Sequence, residues 1–179
     1  MAERIIKRST LGKMNKTHSM VLTAMIFATA LVLAIVENMM PPLPLTVPGV
    51  KFGLSNIAVM YALFFLGTKQ AYLIAILKGG FVFITRGVVA GVLSFFGGML
   101  SVTVMLLLLL IFKERISYLS ISIFGALSHN IGQFLVIVVL YAGVNMLPYL
   151  PILIISGIIA GIITSTLLRF ILPAFKRLV

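Results

Sequence analysis

Residues 88–112 read VVAGVLSFFGGMLSVTVMLLLLLIF, a run without a single charged side chain. A helix rises about 1.5 Å per residue, and about 20 mainly apolar residues cross the hydrocarbon layer of a bilayer. This run is long enough to do so, and it is apolar on every face, as a helix surrounded by lipid and protein must be. The chain on either side repeats the pattern. Further apolar runs lie near 17–40, 51–67, 70–86, 117–142 and 149–172. They are separated by breaks that suit loops: Pro41 to Pro48, Gly67 with Lys69, Arg86-Gly87, Lys113-Glu114-Arg115, and Gly143 to Pro151. With 61% hydrophobic and 9% charged residues in 179 positions, the composition lies outside that of soluble domains. The expectation is an all-α integral membrane protein with six transmembrane helices in one domain over 17–179, preceded by a basic cytoplasmic segment over 1–16.

The basic start followed by an apolar run has the outline of a secretory signal peptide. The run continues to about Val36, longer than a signal core, and five more follow, so it reads as a retained span. Lysines and arginines give the orientation. With the N-terminus in the cytoplasm, every basic residue except Lys51, Lys78 and Arg86 lies inside or at the inner boundary, including Lys69, Lys113, Arg115, Arg169, Lys176 and Arg177. Both termini are then expected inside a cell membrane. The net charge of +11 becomes a topology signal and an attraction to anionic lipid rather than a nucleic-acid footprint.

Several chemistries are excluded or disfavoured by composition. Cysteine is absent, so no disulfide or thiolate site exists. Aspartate is absent too, and Glu3, Glu37 and Glu114 fall on different ends or sides, so no carboxylate pair serves acid and base roles. The one Gly-Lys pair, Gly12-Lys13, is followed by Met14 and makes no phosphate loop. His18 and His129 are expected near opposite faces, which argues against a metal site. No cofactor and no catalytic residue is expected in this chain.

Once the topology charges are set aside, Glu37, Lys51, Lys78 and Arg86 remain. Glu37 ends the first run on the outer side, Lys51 starts the second, and Lys78 and Arg86 fall on roughly one face of the third. Charges at membrane depth are costly unless paired or lining a polar cavity. Three cations facing one acid leave a surplus that an anionic ligand would balance, so these residues are candidates for a substrate site, with Asn56 beside them. The fifth run adds Ser128-His129-Asn130 and Gln133. His129 and Gln133 share a face, while Asn130 projects about 100° away and can reach a neighbouring helix. Ligand contact and interhelical hydrogen bonding are both open for this group.

Small residues recur at four-residue spacing: Ala24 with Ala28, Ala30 with Ala34, and Gly157 with Gly161. Such spacing lets another helix approach closely, within this chain or in a partner. Gly79-Gly80 and Gly97-Gly98 suggest thin faces or bends around the candidate cavity.

The stretch Glu37 through PPLPLTVPGVKFGLSNIA, with GALSHNIGQ over 125–133 and LPYLPILIISGIIAGI over 147–162, resembles a family known both as heptaprenyl diphosphate synthase component I and as Gx transporter. That family is in turn similar to the substrate-binding S components of energy-coupling-factor importers. The resemblance implies an S-component-like bundle of six helices that captures a small, anionic or amphiphilic compound from the outer side, an isoprenoid or quinone precursor for example. It also implies a transmembrane coupling subunit and cytosolic ATPases as partners, with Ala24 and Ala28 matching the A-x-x-x-A coupling motif. Under this reading Pro41, Pro42, Pro44 and Pro48 stiffen a loop over 41–50 that serves as a lid. The family's other name implies a noncatalytic membrane component of heptaprenyl diphosphate synthesis. A third reading is an accessory to membrane quinone or flavin-based electron transfer.

Overall fold

The computed structural model describes residues 16–39, 54–143 and 145–175. Every regular element among them is helical: α1 (Lys16–Met39), α2 (Asn56–Leu66), α3 (Thr68–Arg86), α4 (Val88–Phe112), α5 (Tyr118–Leu140) and α6 (Leu150–Phe175). They coincide with the six apolar runs, although the runs are not equivalent. Four segments, Thr17–Met39, Val88–Phe112, Tyr118–Leu140 and Leu147–Phe170, are long and apolar enough to cross a membrane, which makes this a membrane protein. Four of the six spans expected are thus supported, and among the described residues the other two do not meet that measure, for two physical reasons. The described part of α2 rises only about 16 Å, and α3 carries Lys69, Lys78 and Arg86.

α2 explains the architecture. Apart from Phe65, its residues from Ile57 to Leu66 are buried, and it packs against α1, α3, α4 and α6. A helix that is apolar all round belongs at the centre of a bundle. Its last turn, Ala62–Leu66, widens to π geometry. Around it stand Leu22, Ile26 and Ala30 of α1, Ala71, Ile74 and Ala75 of α3, Val102, Met105 and Leu109 of α4, Ile121 of α5 and Leu168 of α6. These residues come from the N-terminal parts of α1, α3 and α5 and the C-terminal parts of α4 and α6. The core therefore fills one half of the bundle, and α2 begins only at Asn56, midway. In the other half no apolar helix occupies the centre among the described residues.

The remaining helices pack as successive neighbours, α3 on α4, α4 on α5 and α5 on α6. Two of their links are single glycines. Gly67 (φ 109°, ψ 173°) joins α2 to α3 and Gly87 (φ 88°, ψ 175°) joins α3 to α4. A side chain is strongly disfavoured in that backbone region, so glycine is what permits a one-residue reversal. α5 starts at an N-cap, with Ser117 Oγ accepting from the Ser120 N–H at 3.1 Å.

Close helix contacts decide the fate of the small residues. A Cβ at Gly161 would lie 2.5 Å from Ile123 Cα, and one at Gly157 would lie 3.0 Å from Leu127 Cδ2, so this pair packs on α5 within the chain. A Cβ at Gly132 would meet Gly97 Cα and Phe96 O at 3.0 Å, which brings α4 and α5 together where both are thin. Gly79 sits against Phe95, while Gly80 has open space. Ala30 and Ala34 are buried inside the bundle, whereas Ala24 and Ala28 lie on the exposed face of α1.

Candidate functional site

The half of the bundle that α2 does not fill holds a cavity of about 80 Å³, room for several waters or a small polar group. All six helices line it. From the sequence-predicted set, Glu37, Asn56, Lys78, Arg86, His129, Asn130 and Gln133 stand around this one space. Lys51 and the 41–50 segment lie outside the described residues.

α3 supplies both cations. Lys78 and Arg86 are eight residues apart, two turns or so, and therefore project from one face. Lys78 is only 7% exposed, in the middle of an otherwise apolar helix. A charge in such a position is costly unless polar partners replace water. Its Nζ donates to Asn56 Oδ1 at 2.7 Å, so the first residue of α2 holds the ammonium in place. Glu37, also 7% exposed, brings the one carboxylate among the described lining residues from the C-terminal end of α1. Arg86, the last residue of α3, is exposed and lines the same cavity, next to the Gly87 reversal. Lys78 thus joins Glu37 and Arg86 around one space, although depth along the helix alone set it apart from them.

α5 supplies the neutral polar groups, and its cluster divides by function. Asn130 Nδ2 donates to Leu153 O at 2.9 Å and to Ser156 Oγ at 3.2 Å, tying α5 to α6 as its projection predicts. Ser128 turns back on Phe124 O within its own helix. His129 and Gln133 face the other way. They lie against Gly97, whose missing side chain makes room: a Cβ there would meet His129 Cε1 and Gln133 Cγ at 3.0 Å. His129 Nδ1 is buried and has no hydrogen-bond partner among the described residues. An imidazole nitrogen left so is unusual in a finished core, because buried polar atoms nearly always find partners.

Asn38, Ser55, Ser94 and Thr164 also line the cavity, and none was singled out in the sequence. Asn38 follows Glu37 directly, and that adjacency was the available signal. The hydroxyls gave none, because serine and threonine in apolar helices commonly bond their own backbone, as Thr23 does to Ser19 O and Thr29 to Met25 O. Among the described residues no group of three or more metal-ligating side chains comes together, and His18 is exposed on α1.

Chemically, the lining can hold an anion by charge and orient it by amides and hydroxyls. Comparison with known families agrees with the outline of the chain: residues 26–171 match the family described as heptaprenyl diphosphate synthase component I. The chain belongs to that family. No curated protein and no solved structure matches it.

Proposed function

We propose that this membrane protein is a substrate-binding subunit of the S-component type, which captures a small anionic or amphiphilic compound from the outer side. The observation that supports it best is the convergence of Lys78, Arg86, Glu37, His129 and Gln133 on one cavity inside an apolar bundle. Packing alone gives no reason to gather charges there, and a ligand that replaces their hydration does. Asn56 orients Lys78. The excess of positive charge over Glu37 selects a carboxylate or phosphate. Transport would need partners: a transmembrane coupling subunit docking on the Ala24 and Ala28 face, and cytosolic ATPases. Both termini are cytoplasmic in this reading.

The family description favours a second reading, a noncatalytic membrane component of heptaprenyl diphosphate synthesis that presents an isoprenoid diphosphate to a soluble enzyme. The same cation-lined cavity would then hold the diphosphate. Purification from native membranes, with mass spectrometry of co-purifying proteins and retained small molecules, separates the two. Recovery of a coupling subunit with ATPases supports the importer. Recovery of a prenyl synthase subunit instead, with no ATPase, rejects the importer in favour of the synthase component.

A further inference from the structure

A second, smaller cavity of about 10 Å³ lies next to the first, and Asn56, Ala126 and Thr164 line both. Its other walls are Met60 of α2, Met105 and Ser101 of α4, and Ser122 and Gly125 of α5. Three hydroxyls stand on its walls, those of Ser101, Ser122 and Thr164, and both serine protons are committed: Ser101 Oγ donates to Gly125 O and Ser122 Oγ to Gly161 O, each at 2.8 Å, which leaves those oxygens as acceptors only. What faces the space is then mainly thioether, methyl and backbone carbon. Met60 and Met105 are 1% and 2% exposed. Methionine is the side chain that best adapts to an irregular apolar guest, having three rotatable bonds and no branch. Gly125 carries no Cβ, and one built there would lie 2.9 Å from Met105 Cγ and Sδ.

We infer that the site is bipartite: the cavity at Lys78 takes an anionic head, and the pocket between Met60 and Met105 takes the end of a short apolar tail. This rests on the anion-site reading above and narrows its substrate class to a short-chain anionic amphiphile. The two parts are close. Asn56 lines both and holds the Lys78 ammonium at 2.7 Å, so only a few carbons separate the head from the pocket. A long isoprenoid chain does not fit inside. The methionines set the accepted length, and the serines, by giving their protons to backbone carbonyls, offer no donor to the pocket.

The test uses the purified full-length protein in a nonionic detergent, with inorganic phosphate and a series of n-alkyl monophosphates from methyl to octyl as probes, read by ligand-induced thermal stabilisation. In the parent protein, affinity should rise about fourfold per added methylene over the first few carbons and then stop rising. Met105→Ala should move that stop to chains about two carbons longer. Gly125→Ala, which adds a methyl to the wall, should move it to shorter ones, and Met60→Ala provides a second enlarging variant if Met105→Ala fails to fold. Met25→Ala on the exposed face of α1 should leave the profile unchanged. Phosphate binding with one length profile shared by the parent and all pocket variants overturns the bipartite site while sparing the anion site. Absence of stabilisation by phosphate and by every alkyl phosphate overturns both.

Discussion

Lys78 shows most clearly how one residue fixes the character of the site. Its ammonium is buried against Asn56 and lines the cavity with Arg86 and Glu37. A charge-assisted hydrogen bond to a bound anion contributes about 1.5–3 kcal/mol, so losing one should weaken binding roughly ten- to a hundredfold. Lys78→Met, which keeps the apolar stem, and Arg86→Gln should each show that loss in equilibrium binding of the native ligand by otherwise folded protein. Glu37→Gln should do less harm, or tighten binding, because it removes the carboxylate that competes with the ligand. A neutral native ligand, or undiminished binding by Lys78→Met, would defeat the anion site. On α5 the expected split is sharper still. Asn130→Ala breaks the bond to Leu153 O and should lower thermal stability by about 1–2 kcal/mol. His129→Ala and Gln133→Ala should instead weaken ligand binding more than they lower the melting temperature. These residues were legible in the sequence because a charge, an imidazole or an amide stands out within an apolar run. Ser55, Ser94 and Thr164 were not, since a hydroxyl that lines a cavity and one that bonds its own helix look alike in sequence.

Among the elements, α2 carries the most consequence for its length. Its apolar run over 51–67 reads as a span, because hydropathy reports composition and says little about where a helix starts. The helix begins at Asn56, and Ser55 and Asn56 at its start line the cavity. Helix count and order were legible, as charges and glycines punctuate the runs. The partner of each small-residue pair was not, because four-residue spacing marks a thin face without saying what covers it. The structure resolves that for Gly157 and Gly161, and it supports a paired test. Gly161→Ala sets a methyl 2.5 Å from Ile123 Cα, a backbone atom that cannot swing aside, and should destabilise by about 1–3 kcal/mol in thermal or denaturant unfolding. Gly80→Ala, on an exposed face of α3 with nothing within 4 Å of the new methyl, should be neutral or stabilise by up to about 1 kcal/mol through helix propensity. Equal effects of the two substitutions would refute the α5–α6 contact.

For the molecule as a whole, α1 has one buried face and one exposed face. Leu22, Ile26, Ala30 and Ala34 are buried in the bundle, and Glu37 continues that face into the cavity, while Ala24 and Ala28 lie on the opposite, exposed side. Exposure to lipid alone needs no alanines, since the neighbouring Val21, Met25 and Val32 serve that purpose with larger side chains. A pair of small residues one turn apart makes a shallow notch into which a second helix can pack at short range. In the importer reading that helix belongs to the coupling subunit, and the cavity and the docking face then sit on opposite sides of one rigid rod. Ala28→Leu fills the notch without touching the core, so the variant should insert, fold and bind ligand as the parent does, yet fail to recover the coupling subunit and fail to support uptake. A leucine variant that retains both the complex and uptake would show that this side of α1 meets only lipid. If ligand binding is lost as well, Ala28 contributes to the fold and the separation of the two faces is wrong.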